Sequence, residues 1–104
     1  MSTGSEKTQY IVWLSPAREG MPEAPTETES QAVGAHFAYY QELLADRRLI
    51  LAGRTIQPPF AGVMIFEAAD LAQAERVAFE DPGVVAGVFV ARVQPFSVAL
   101  MREG

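Results

Sequence analysis

No cysteine occurs among the 104 residues, which excludes disulfides, thiolate catalysis and zinc sites built on cysteine. The single histidine, His36, excludes a multi-histidine metal site within one chain. No apolar stretch approaches the roughly 20 residues of a membrane-spanning helix. Positive charge is scarce: 8 Lys and Arg stand against 13 Asp and Glu, a net charge of −5. That balance argues against nucleic acid, whose binding depends on cations that neutralise phosphates. It also supplies no polybasic segment for an anionic membrane. The glycines form neither GxGxxG nor GxxxxGK[ST], so no phosphate loop is present. Met1 to Lys7 lack the basic start and apolar run of a signal peptide, and a cytoplasmic protein is expected.

What remains is an ordinary globular mixture, 49 % hydrophobic and 20 % charged. The length suits one domain. It is expected over residues 8–101, with 1–7 and 102–104 as flexible termini. A chain this short buries only about two thirds of the surface its unfolded form exposes, so further burial between subunits would help.

Tyr10-Ile11-Val12-Trp13-Leu14 is β-branched and aromatic and predicts a strand ending at Ser15-Pro16. Ala17 to Pro25, with Gly20, Pro22 and Pro25, predicts a mobile loop. Thr26 to Glu29 begins a helix, for which Thr28 and Gln31 fit a capping box. Val33, Phe37, Tyr40 and Leu44 recur at helical spacing as its apolar face, and Arg47 and Arg48 suit its negative end. Leu49 to Gly53 and Val63 to Glu67 predict a hairpin around the Gln57–Gly62 turn. Asp70 caps a second helix with Leu71, Ala74, Val77 and Ala78 facing inward, ended by Asp81-Pro82-Gly83. Val88 to Gln94 is the last strand, followed by Pro95 and Phe96, with Ser97 to Met101 as an extension.

The order βαββαβ predicts an α+β, ferredoxin-like fold: a four-stranded antiparallel sheet, strands one and three central, both helices on one face. The central strands carry no charge on either face between Tyr10 and Leu14 or between Val63 and Phe66. Exposed apolar patches of several hundred Å² are rare on monomers, so a second copy is expected to cover the other face. A loop folded over the sheet is the alternative. Pairing of subunits is then expected to create the enclosed space where activity occurs.

His36 is the only side chain that titrates near neutrality unperturbed, and it sits at the edge of the apolar face of helix one. A packed, hydrogen-bonded histidine is the ordinary reading. Asp81, before Pro82, ordinarily stops a helix. Together the two permit one chemistry. A carboxylate on one imidazole nitrogen fixes the tautomer and raises the basicity of the other, which then serves as general acid or base. At about 1.5 Å per residue, however, His36 lies roughly 15 Å from the helix end nearest Asp81, so topology alone does not join them. Arg54, after Gly53, is a candidate for binding an anionic group or a solvated edge charge. Tyr10, like Trp13, Tyr39 and Tyr40, reads as core or interface; Tyr10 is also, with Arg54, a candidate ligand contact. No metal or other cofactor is called for.

Three segments bear a resemblance: His36-Phe37-Ala38-Tyr39-Tyr40-Gln41-Glu42-Leu43-Leu44, Arg48-Leu49-Ile50-Leu51-Ala52-Gly53, and Asp81-Pro82-Gly83-Val84-Val85-Ala86-Gly87-Val88-Phe89 running on to Val93-Gln94-Pro95-Phe96. In order and spacing the chain resembles the YCII-related (YciI-like) family of small dimeric ferredoxin-like proteins. The resemblance implies a dimeric α/β-barrel assembly and a catalytic pair carried by His36 and Asp81. It implies a small organic ligand, handled by acid–base chemistry of the isomerase, lyase or dehydrochlorinase type, or bound without catalysis by a regulatory dimer. Gly83 and Arg54 depart from the family pattern, which implies a wider and more cationic pocket.

Overall fold

Strands in a mostly antiparallel sheet show their two faces alternately, and β1 (Thr8–Pro16) does so. Tyr10, Val12 and Leu14 turn to the helices and enter the main core, while Ile11 and Trp13 turn the other way. The structure, a computed structural model, describes residues 8–102; of the expected termini, 1–7 and 103–104 lie outside the described residues. After β1 come α1 (Glu27–Ala45), β2 (Leu49–Arg54), β3 (Gly62–Ala68), α2 (Leu71–Phe79), a single helical turn α3 (Pro82–Val85) and β4 (Phe89–Phe96). The sheet order is β2-β3-β1-β4, antiparallel throughout, with strands one and three central. This is the ferredoxin-like arrangement. Tyr40 and Leu43 of α1 and Ala74, Val77 and Ala78 of α2 close the core over Val12, Met64 and Phe66. No helix among the described residues is long and apolar enough to cross a membrane.

Local details depart from expectation for identifiable reasons. The capping box is Thr26 with Glu29, two residues before the expected pair; the Thr26 hydroxyl accepts from the Glu29 N–H at 3.1 Å, and Glu29 accepts the Thr26 N–H at 2.8 Å. Arg18 selects this register, since its guanidinium grips both Glu29 oxygens at 2.7 and 2.8 Å. The Arg18 bond holds the Glu29 carboxyl down at about 2. The 17–25 loop is irregular, as expected, but anchored: Arg18 also bonds the Ala24 carbonyl, and Met21 is buried beside Ala32 and Val88. Arg47 lies outside α1, in the left-handed conformation (φ 63°) that ends it.

α2 stops at Phe79, and Asp81 does not end it but caps α3, accepting the Gly83 N–H at 2.9 Å. Leu71, expected to face inward, is exposed at the first turn of α2. β4 runs through Pro95 to Phe96; as an edge strand it tolerates a residue without an N–H on its outer side. The uncovered sheet face shields part of its own apolar surface. Ile11 and Ile65 pair across β1 and β3 and are buried within one chain, and the Trp13 indole donates to Gln94 at 3.0 Å under the Arg92 guanidinium.

Candidate functional site

The two residues that topology left apart are joined. His36 Nδ1 lies 2.7 Å from Asp81 Oδ2, with the carboxylate fully buried and the imidazole 17 % exposed. Helix length explains it. α2 and α1 share one end of the domain. From that end, Asp81 is reached after roughly ten residues of rise and His36 after roughly nine, about 15 and about 14 Å. The short α2 therefore ends level with the middle of α1 and not with its tip. The Tyr39 hydroxyl pins the alignment by donating to the Val77 carbonyl at 2.7 Å. Burial, with the Glu80 and Asp81 charges nearby, pushes the Tyr39 hydroxyl up to about 12, so it remains a donor.

With Asp81 ionised its oxygens only accept, so Nδ1 donates and Nε2 is left free of that bond. Asp81 Oδ1 is meanwhile held by the Gly83 N–H. The imidazole is wedged between the Phe89 ring, 5.0 Å away, and the Tyr40 ring, 5.3 Å away and edge-on. Tyr40 is 4 % exposed, and its hydroxyl is buried without a hydrogen-bond partner among the described residues. Burial raises its pKa, so the hydroxyl stays protonated.

His36 and Tyr40 line an open cavity of about 910 Å³ between α1, the 16–25 loop and the upper ends of β2 and β3. Its size falls at the upper end of the small-molecule range, and its walls are mainly apolar. Small residues make the room. A side chain at Gly34, in mid-helix, would meet nothing within 4 Å, and Ala52, Gly53 and Gly62 form part of the sheet wall. Phe37 and Leu44, expected to pack in the core, are 64 % and 56 % exposed and face this cavity instead. This open cavity lies on the helix side of one chain.

The remaining candidates separate. Arg54 lines the cavity, on the sheet edge at the end of β2. Tyr10 is buried in the core and does not line it. Gly83 does not widen it either, because the Phe89 ring fills the room a side chain there would need: an added Cβ would sit 2.6 Å from Phe89 Cδ2. Tyr40 and Phe89, which frame the imidazole, were not singled out for this role; their signal in the sequence is the i, i+4 spacing of Tyr40 from His36. Among the described residues no three His, Asp or Glu side chains gather as metal ligands.

A family model described as the YCII-related domain matches residues 9–97. Among solved structures, the chain is similar to the 5-chloro-2-hydroxyhydroquinone dehydrochlorinase of Burkholderia phenoliruptrix AC1100 in complex with 2,5-dihydroxybenzoquinone, at 19 % identity and a TM-score of 0.68. That likeness covers 86 % of this chain and 93 % of the other, and it carries the fold. No curated protein matches significantly.

Proposed function

This chain belongs to the YCII-related domain family, and we propose that it is a small-molecule enzyme in which His36, oriented by Asp81, acts as general acid or base in the cavity. The observation that carries this reading is the 2.7 Å bond between His36 Nδ1 and a fully buried carboxylate, with the ring itself on the cavity wall. Nε2 takes a proton from an acidic carbon or hydroxyl of the ligand, and Asp81 stabilises the imidazolium that forms. Returning that proton to another atom completes an isomerisation. Departure of an anion such as chloride from the adjacent carbon, as the double bond forms, completes an elimination. The similar structure is of a dehydrochlorinase bound to a quinone, which supports the second course.

Product analysis by mass spectrometry over a panel of halogenated and hydroxylated rings and lactones tests this. The His36→Asn variant, whose side-chain amide stands where Nδ1 donates to Asp81, should turn over its substrate about 10²–10⁴-fold more slowly. Gly34→Leu, which projects into open space, should abolish binding without destabilising the fold. Undiminished turnover by His36→Asn removes the catalytic role; binding with no product across the panel leaves a ligand-binding dimer.

We further propose that a second copy covers the open sheet face, where Trp13, Leu51 and Val90 are 38, 47 and 58 % exposed. Light scattering should give twice the 11.3 kDa chain mass. Val90→Lys should return the protein to the single-chain mass. A wild type that stays at 11.3 kDa at high concentration overturns the pairing.

A further inference from the structure

The charge on the cavity wall is opposite to that of the chain as a whole. The sequence carries 13 acidic residues and a net charge of −5, yet none of the residues lining the cavity is acidic. Asp81, the nearest carboxylate in the site, is hidden behind His36. Apart from the imidazole, the one ionisable cation on the wall is Arg54. Its position on that side follows from the register: Arg54 pairs with Gly62, Gly62 pairs with Leu14, and Leu14 faces the helices. Gly62, its partner across the ladder, lines the same cavity. Arg54 is exposed and makes no ion pair among the described residues, whereas Arg18 is spent on Glu29 and Arg92 lies over Trp13.

We propose that the ligand is an organic anion with an apolar body, and that Arg54 is the residue that selects it. The anionic group pairs with the guanidinium fork at the end of β2, a geometry suited to a carboxylate. The body lies along Phe37, Leu44 and Met64, and this orients the far end of the molecule toward His36. An apolar-walled cavity strengthens such a pairing, because the low dielectric of the walls concentrates the field of the one cation. A chain that repels anions over most of its surface thereby admits them at one place.

This inference rests on the cavity being the ligand site, and the test separates the two. The probes are 4-phenylbutyrate and its uncharged amide, titrated by calorimetry and by NMR. The only histidine, His36, supplies a single set of imidazole resonances that reports entry into the cavity. In wild type the carboxylate should bind about tenfold or more tightly than the amide, the weight of one charge-assisted pair. Its affinity should fall as salt is raised. Arg54→Gln should bring the two probes level, Arg54→Lys should keep part of the preference, and neither change should alter the melting temperature of so exposed a site. Equal binding of acid and amide by wild type overturns the role of Arg54 and leaves the cavity reading intact. Binding of neither probe, with the His36 resonances unmoved, overturns both.

Discussion

His36→Ala should cost the fold about 3–5 kcal/mol, the penalty for stranding a buried charge by removing its partner. Asp81 has no exposed surface; its Oδ2 is 2.7 Å from His36 Nδ1, and its Oδ1 is held only by the Gly83 N–H. Removing the imidazole leaves Asp81 between the Phe89 and Tyr40 rings, open to water only from the cavity side. The double variant His36→Ala/Asp81→Asn should recover part of the loss. An asparagine oxygen still accepts the Gly83 N–H, and no charge is left alone. Domains of this size hold only about 5–15 kcal/mol in total, so the single variant should melt well below wild type. Urea denaturation of the wild type, both single variants and the double variant measures the coupling. A double variant no more stable than His36→Ala contradicts the picture of a stranded carboxylate.

The second large effect belongs to Gly83. A Cβ there would lie 2.6 and 3.0 Å from Phe89 Cδ2 and Cε2 and 3.3 Å from His36 Cβ. Gly83→Val must displace the ring that holds the imidazole, at about 1–3 kcal/mol for overpacking. It must also push α3 away from α1, lengthening the His36–Asp81 bond. Turnover should fall with stability, and the imidazole N–H resonance of the pair should broaden. Gly34 is the matched control. It sits in the interior of α1 with open space before it, so Gly34→Ala should gain roughly 0.5–1 kcal/mol by removing the helix cost of glycine. If both substitutions prove equally harmless, α3 is not clamped between His36 and Phe89.

The two glycines show how legible the site was. In the sequence, Gly83 follows Pro82 at what reads as a helix end, and nothing distinguishes a residue that widens a pocket from one wedged against a ring. The distinction is a distance to Phe89, set by how β4 returns beneath α3. The pairing of His36 with Asp81 was implied by family resemblance, while the chain's own pattern left them apart. The lengths of the two helices, measured from their shared end, bring the two residues level but do not bring them into contact. Tyr10 was misplaced as a ligand contact for the same reason that Phe37 and Leu44 were misplaced as core. An apolar or aromatic residue at the right period says which face it occupies but not whether the neighbouring element closes on that face.

Local chemistry and periodicity, then, determined the four strands, the two long helices, their order and the antiparallel sheet with strands one and three at its centre. Each of these follows from interactions between near neighbours or from rules of connection that hold for any chain. Tertiary structure alone decided that α1 stands off from the upper part of β2 and leaves a cavity there. It also decided that Arg18 fixes the helix start at Thr26, and that a buried carboxylate meets the single histidine at hydrogen-bonding distance. Those outcomes depend on separations of an ångström or less between residues distant in the chain, and a one-dimensional pattern carries no such distances.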